Sequence, residues 1–258
     1  MHARTVPAVT RVLSLVYMAR FLQYAVRHMN IYAFLSLCFI PLVALFLILV
    51  ILVKGFKIYH GLLAIALGII AVIPIAFVQY FVLNLPIFTT DTVVSLLITT
   101  ILFNGVIEET LKMLCLLILP QKKMPLAAFF CCALLFGLAL GTFESLIYLI
   151  RGVQDATQPH GLHSAAKLIL LRMGTAVLIH AFCAGLSGLY LWTAKTHAPH
   201  ITPFLYAALL HGIYNFFAGF DSGYRWFSIV AILFAALECR IWYRAIVKTE
   251  YGVRIKNA

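Results

Sequence analysis

The sequence has few charged residues and lacks the periodicity of a transmembrane β-barrel. Only 10% of its 258 residues are charged, whereas soluble domains carry about 25% charged residues. The apolar runs do not alternate with a period of two, as barrel strands would. The chain is instead rich in apolar residues, with 64% hydrophobic residues and a mean hydropathy of +1.04. These values predict an all-α fold, a polytopic transmembrane helix bundle that has the lipid bilayer as its partner.

The positive charge of the chain does not indicate a nucleic-acid partner. The formal net charge is +11, but the basic residues lie in tails and short loops, as membrane topology signals do. The six cysteines lie in apolar segments and form no CxxC motif, so we interpret them as small buried hydrophobic residues. Neither feature predicts an oligomeric state.

The apolar runs predict seven transmembrane spans and leave an eighth open. Residues 11–28 carry Arg20 and Arg27 in an otherwise apolar helical pattern, which favours an interfacial amphipathic helix, with an additional span as the alternative. We divide the chain into a basic N-terminal segment (1–30), a single transmembrane domain (31–250) and a basic tail (251–258). The predicted spans are 32–53, 58–83, 92–119, 125–150, 165–194, 200–219 and 225–247.

The third predicted span carries three charged side chains near its middle, Glu108, Glu109 and Lys112. A carboxylate at the centre of a bilayer costs roughly 2.5–3.5 kcal/mol on insertion scales. Glu108 and Lys112 are one helical turn apart on the same face, with Asn104 a turn before them. This edge of the helix must therefore face protein or trapped water, and it marks a candidate functional site.

The next three spans add further polar side chains at membrane depth. Small residues at Gly137 and Gly141 precede the acid of the fourth span, and such residues allow close helix packing. We therefore expect that acid to face a neighbouring helix and not lipid. The first two spans are not expected to contribute to the site. The additional polar residues are Glu144, Arg172, His180, His211 and Asn215.

Each of these residues also has a purely structural interpretation. Lys112 and Arg172 can neutralise the acids in ion pairs, and a single buried histidine such as His180 is more often a hydrogen-bonded core residue. Asn215 alone can join two helices at about 0.6 kcal/mol. Packing does not readily explain why four consecutive helices all carry groups that can activate water.

The set of residues indicates hydrolysis. A carboxylate together with an imidazole can hold and deprotonate a water molecule, while an asparagine and a second histidine can donate hydrogen bonds to the oxyanion formed on a carbonyl. The serine motif GxSxG and the zinc motif HExxH are both absent from the sequence. The residues therefore predict a hydrolase that acts on an amide near the bilayer.

Four motifs in this order resemble the PrsW family. They are EExxK at Glu108, GLALGTFES around Glu144, the HAxxxGxxG sequence that follows Arg172 and begins at His180, and HxxxN at His211. PrsW proteins are bacterial intramembrane proteases in the wider superfamily of CAAX prenyl proteases and bacteriocin-processing enzymes. The resemblance covers residues 100–216, with both order and spacing kept.

The resemblance implies a glutamate-type intramembrane endopeptidase in the bacterial inner membrane, which cleaves membrane-anchored proteins; the described PrsW substrate is an anti-sigma factor. The motif acids match Glu108, Glu109 and Glu144, and the remaining motif residues match Lys112, His180, His211 and Asn215. The second motif departs from the family pattern, because Leu140 replaces a phenylalanine and Ser145 an asparagine.

We therefore expect Glu109 (or Glu108) to act as general base with His180 or His211. His211 and Asn215 would stabilise the oxyanion, and Lys112 and Arg172 would tune the acids. No cofactor is expected.

The sequence leaves three alternative functions open. The first is a zinc-dependent membrane hydrolase, a protease or lipid amidase, with Glu144, His180 and His211 as metal ligands. The second is a proton-coupled transporter, in which buried Glu, Lys and His side chains form a relay. The third is a non-catalytic scaffold built on a protease fold.

Overall fold

The computed structural model describes residues 31–83, 92–154, 161–196, 199–220 and 223–256. The predicted amphipathic helix at 11–28 lies outside these residues. Within the described ranges the chain is almost entirely helical and contains no β-strand, because backbone groups in a bilayer must find their hydrogen-bond partners inside the protein.

The helices follow the apolar runs of the sequence closely. We number the α-helices α1 to α9; a π-helical segment at Thr100–Ile107 joins α3 to α4, and short 3-10 turns at Gln121–Lys123 and Gly223–Trp226 precede α5 and α9. The α-helices are α1 (Ile31–Leu52), α2 (Ile58–Leu83), α3 (Val93–Thr99), α4 (Glu108–Leu116), α5 (Leu126–Gln154), α6 (Gly161–Gly174), α7 (Ala176–Thr196), α8 (Thr202–Ala218) and α9 (Phe227–Lys256).

In the described part of the chain, four helical stretches are long and apolar enough to cross a membrane, and α1 adds a shorter apolar stretch at Cys38–Leu52. Large apolar side chains such as Ile51, Ile73 and Phe77 are exposed on the outer helix faces, where a bilayer would cover them. The predicted all-α transmembrane bundle is confirmed in this respect, whereas the number of seven spans stays a prediction. The four stretches are Ile58–Phe81, Val93–Leu116, Leu126–Ile150 and Lys167–Lys195.

The third span is not the uninterrupted α-helix that the sequence predicted. Its π-helical segment ends immediately before Glu108. The hydroxyls of Thr99 and Thr100 donate to the carbonyls of Ser95 and Leu96, at 2.7 and 3.0 Å, and such back-bonding bends helices. π-Helical turns of this kind are frequent at functional sites.

Helix α5 lies at the centre of the bundle and packs most extensively against α7 and α2. Gly137 makes the contact with α7 close, because a Cβ atom at that position would collide with the carbonyl oxygen of His180. Gly105 allows the same close approach between the π-helical segment and the backbone of Ala208 on α8. These two contacts bring α7 and α8, each with a buried histidine, beside the Glu-Glu edge.

Candidate active site

The charged residues of the third span meet both predicted histidines inside the bundle. Glu108 and Glu109 form the first turn of α4, with Lys112 one turn further on. His180 lies in the second turn of α7, and His211 in the middle of α8. All five side chains are buried, so the expected turning of this edge toward protein is observed.

Glu109 is completely buried and accepts hydrogen bonds at both carboxylate oxygens. Its Oε1 lies 2.7 Å from Lys112 Nζ and 2.8 Å from His211 Nδ1. Its Oε2 accepts a hydrogen bond from the Ser187 hydroxyl at 3.2 Å. Because three donors already surround it, Glu109 is suited to holding its neighbours in place and poorly suited to activating a water.

Lys112 is also completely buried, and its ammonium group contacts three partners. Its Nζ lies 2.7 Å from Glu109 Oε1, 3.0 Å from Glu108 Oε1 and 2.8 Å from His180 Nδ1. Since an ammonium group can only donate, Nδ1 of His180 is the acceptor in the last contact. The ring proton of neutral His180 is therefore on Nε2, which donates to Glu144 Oε2 at 2.7 Å.

His211 has the opposite tautomer and presents a nitrogen lone pair to the cluster. Its Nδ1 donates to Glu109, so that Nε2 of the neutral ring carries no proton. This Nε2 is buried without a hydrogen-bond partner, whereas the nearby Glu108 Oε1 forms an ion pair with Lys112 at 3.0 Å. His211 Nε2 and Glu108 Oε1 are 3.8 Å apart, and His180 Nδ1 lies 3.2 Å from the same carboxylate oxygen.

Glu144 lies behind His180 and reaches the edge of the cluster. Its Oε2 is 3.3 Å from Arg172 Nη2, and the guanidinium group of Arg172 stacks 3.8 Å above the Tyr148 ring. The side chain of Glu144 is 30% exposed. Glu144 therefore joins the buried histidine to a more open part of the molecule.

Two further polar residues contact the acids, although the sequence analysis did not select them. The amide nitrogen of Gln79 lies 3.3 Å from both Glu108 Oε2 and Asn104 Oδ1, and Ser187 donates to Glu109. The expectation that the first two predicted spans contribute nothing is therefore wrong, because Gln79 belongs to α2. The sequence feature that could have identified Gln79 is an isolated amide side chain in an otherwise apolar helix.

Asn215 is the one predicted residue that the described structure does not join to the cluster. It lies one turn beyond His211 on α8 and is half-buried. Within the described ranges, its side chain makes no hydrogen bond to the acids or histidines. Its predicted role at an oxyanion stays a prediction.

A cavity of about 250 Å³ lies between α2 and α5 and reaches the cluster. Glu108, Glu144 and Gln79 are its polar lining, while the remaining lining residues are apolar or aromatic: Val72, Ile75, Ala76, Tyr80, Leu140, Ile147 and Tyr148. A substrate in this cavity can therefore reach Glu108.

The cluster also offers ligand atoms for a divalent metal ion, once the Lys112 ammonium group moves away from His180 Nδ1 and Glu108 Oε1. Glu108, His180 and His211 each offer one ligand atom, and these atoms lie within 4.8 Å of one another. The outer nitrogen of each ring is bound by a carboxylate, Glu144 for His180 and Glu109 for His211, as is usual for metal-binding histidines. The structure groups Glu108 with the two histidines, where the sequence-based alternative had Glu144.

The comparisons with known proteins point to one family. A family model described as "PrsW family intramembrane metalloprotease" matches residues 57–237, which is more than two thirds of the chain and includes every residue of the cluster. A search of curated proteins and a search of solved structures each found no match. Because the family is described as a metalloprotease and three residues fit a metal, the expectation of a site without a cofactor is not supported.

Proposed function

The chain belongs to the PrsW family of intramembrane metalloproteases and is an intramembrane peptidase, and we propose that its water-activating residues are Glu108 and His211. The observation that supports this assignment is the pair of buried acceptors, Glu108 Oε1 and His211 Nε2. They lie 3.8 Å apart; His211 Nε2 has no hydrogen-bond partner, and Glu108 also lines the cavity between α2 and α5. Burying an acceptor unpaired costs about 1–3 kcal/mol, so His211 Nε2 favours a bound water that Glu108 Oε1 can share.

A water molecule between these two atoms donates one proton to each of them. Its lone pairs then face away from both acceptors and toward a peptide carbonyl carbon in the cavity. Glu108 takes a proton as the water attacks, and it returns this proton to the leaving amine when the C–N bond breaks. The products are a carboxylic acid and an amine, and Glu108 regains its charge.

The remaining residues of the cluster position this pair. Glu109 holds the His211 ring in the tautomer that presents Nε2, and Glu144 does the same for His180 Nδ1. Lys112 contacts both acids of the EExxK motif, and Arg172 contacts Glu144. These cations offset three carboxylates that would otherwise be uncompensated at membrane depth.

The oxyanion forms on the carbonyl oxygen when the water attacks. It must be stabilised by groups that can donate hydrogen bonds to it. Neutral His211 presents its acceptor Nε2 to the cluster, so it cannot donate a hydrogen bond to the oxyanion while Glu108 holds the proton of the water. Asn215, one turn further on the same helix, is the other candidate donor, as the family motif implies.

Glu108, His180 and His211 would hold the metal that the family description implies. A divalent metal in this position supplies Lewis-acid polarisation of the water or carbonyl. The positions of Glu109 and Glu144 behind the two rings suit this use, because such partners orient histidine ligands.

Metal binding by the cluster is tested with purified protein from which metal has been removed by a chelator. We expect the wild type to take up about one zinc ion per chain, and His211→Gln to bind zinc at least about tenfold more weakly. His200→Gln, on an exposed histidine outside the cluster, is the matched control. Elemental analysis after dialysis is the measurement; equal uptake by His211→Gln and the wild type would contradict the assignment.

The substrates that suit this site are membrane-anchored proteins. Apart from its three polar residues, the cavity is lined by apolar and aromatic side chains, which match an apolar transmembrane segment with its backbone locally extended. We propose an anti-sigma factor or a similar membrane-anchored regulator as substrate, and the bacterial inner membrane as the location.

Gln79 is expected to position Glu108 for this reaction. Its amide nitrogen is the hydrogen-bond donor to Glu108 Oε2, so Gln79→Leu frees the carboxylate to rotate away from the water. We expect kcat to fall by about 10–100-fold, the usual effect of losing such a partner, with KM little changed. Asn104→Ala, which removes only the other partner of Gln79, should have a much smaller effect. Equal activity of Gln79→Leu and the wild type would contradict this role.

The proposed function is tested by mapping new N-termini. Wild-type and Glu108→Gln protein are reconstituted separately into liposomes with solubilised membrane proteins, and cleavage products are compared by mass spectrometry. The proposal is supported by cleavage sites that appear with the wild type but not with Glu108→Gln, and that lie in or beside apolar segments. Products that are the same for both proteins would contradict it.

A further inference from the structure

A second cavity lies on the other side of Arg172, away from the cluster. Its volume is about 80 Å³, several times the ~10–15 Å³ that one buried water needs on this measure. It therefore has room for a tetrahedral group of four oxygen atoms. The cavity is lined by residues of α6, α8, the start of α9 and the turn that precedes α9, together with Thr175 between α6 and α7.

The charged side chains that line this cavity are both arginines, Arg172 and Arg225, and none of its described lining residues is acidic. Nε of Arg172 is buried and has no hydrogen-bond partner. A guanidinium group recognises phosphate or carboxylate oxygens through several parallel N–H donors. The cavity is therefore suited to an anionic group with several oxygens.

The hydroxyls in the cavity wall are already committed as donors. Thr175 donates to the Leu171 carbonyl at 2.8 Å, so the contact of 3.0 Å with Tyr214 uses the Tyr214 proton. Ser228 donates to the Arg225 carbonyl at 2.7 Å. Nε of Arg225 also donates already, to the Phe220 carbonyl at 2.9 Å. Recognition of a ligand here therefore falls first to Arg172, whose Nε has no partner, with the charge of Arg225 beside it, and the ligand must bring acceptors.

The cavity lies close to one end of the bundle. Its lining includes the end of α8 and the beginning of α9, where the chain turns back. The turn Gly223–Trp226 carries Arg225 between two exposed aromatic residues, Tyr224 and Trp226. Tyrosine and tryptophan are enriched at the level of lipid headgroups, so the cavity lies at headgroup depth.

We propose that this cavity binds the phosphate group of an anionic lipid. Apolar lining residues, among them Leu168, Ala218 and Ile229, would contact the carbon atoms next to the phosphate. The proposal does not depend on the proposed catalytic mechanism, because it concerns binding at different residues. Free phosphate shares the same chemistry and is a separate arm of the test.

The test is equilibrium binding to the full chain in a neutral detergent. The probes are dioctanoyl phosphatidylglycerol, dioctanoylglycerol, which lacks the phosphate, and inorganic phosphate. We expect Arg225→Gln to weaken phosphatidylglycerol binding by about tenfold, the effect of losing a charge-assisted hydrogen bond. Ala218→Leu, which fills the cavity without changing charge, should weaken it as well. The control is Arg244→Gln, the same charge change at an exposed position of α9, and it should bind like the wild type.

The outcomes separate the possible ligands. Binding of phosphatidylglycerol that both cavity variants weaken, with weaker binding of inorganic phosphate, supports the lipid. Equal affinity for inorganic phosphate supports the phosphate site and assigns it to the free ion. Binding of dioctanoylglycerol as tight as that of phosphatidylglycerol, or equal losses in Arg225→Gln and Arg244→Gln, would overturn the proposal.

Arg172 is shared between this cavity and the cluster, which gives a second test. In the wild type its Nη2 lies 3.3 Å from Glu144 Oε2, so part of its charge is already offset. Glu144→Gln removes that negative charge and should tighten phosphatidylglycerol binding about threefold, the size of effect expected for a partly exposed ion pair. Unchanged or weaker binding would overturn the role of Arg172 in the site.

Discussion

Glu108→Gln is expected to lower the rate of peptide cleavage by about 10²–10⁴-fold, the contribution of a general base, while the fold is retained. Glutamine has nearly the shape of glutamate and can still contact Gln79, but it cannot accept a proton from water. The rate is measured on a fluorogenic membrane reporter in proteoliposomes. Folding is checked by size-exclusion chromatography and circular dichroism in the same detergent.

The control for this substitution is Glu238→Gln, which makes the same change on α9 outside the cluster. It should cleave the reporter at the wild-type rate. Folded Glu108→Gln protein with full activity would remove Glu108 from the mechanism and return the role of base to Glu109, which the sequence analysis favoured.

Lys112→Met is expected to destabilise the protein by about 3–5 kcal/mol, the usual cost of breaking a buried ion pair by removing one partner. Lys112 is completely buried and contacts Glu108, Glu109 and His180. Without its charge, two adjacent carboxylates remain inside the bundle with no cation next to them. The free energy of unfolding is measured by denaturant titration in detergent micelles.

Two further variants show whether the loss comes from charge. Glu109→Gln/Lys112→Met should recover part of the lost stability, because the carboxylate closest to Lys112 no longer carries a charge. Lys123→Met, at an exposed lysine in the loop before α5, should change stability by less than about 0.5 kcal/mol. Equal stability of Lys112→Met and the wild type would show that the ion pairs do not matter.

The sequence predicted which residues meet, because charge at membrane depth leaves few arrangements. Glu108, Glu109 and Lys112 could not face lipid without a large cost, and they had to turn toward helices that offered partners. His180 and His211 were the strongest partners on those helices, and the structure places both beside the acids. The helix bounds followed for a similar reason, since apolar runs of this length form helices in a bilayer.

The sequence could not predict which acid is free to act. Glu108 and Glu109 are adjacent and belong to the same motif, and they differ only in their neighbours in space. Ser187 and His211 engage Glu109, while Gln79 and Lys112 contact Glu108, which also lines the cavity. The contacts of Ser187, His211 and Gln79 join residues 29 to 102 positions apart, and no local pattern specifies them.

The sequence did not predict the π-helical segment at Thr100–Ile107, for a different reason. The hydrophobic pattern of the third span fits a regular α-helix, and back-bonding by threonine hydroxyls predicts a bend but not a π-helical turn. What distinguishes this segment is the close contact of Gly105 with Ala208. That contact depends on where α8 packs, so it arises only with the tertiary structure.

The most direct test of the account is a double-mutant cycle between Glu108 and His211. The reporter cleavage rates of Glu108→Gln, His211→Gln and the double variant are compared with that of the wild type at one pH. If both residues act on one water, the double variant should be no slower than the slower single variant. A double variant whose loss is the product of the two single losses would show that the residues act independently, and would contradict a shared site.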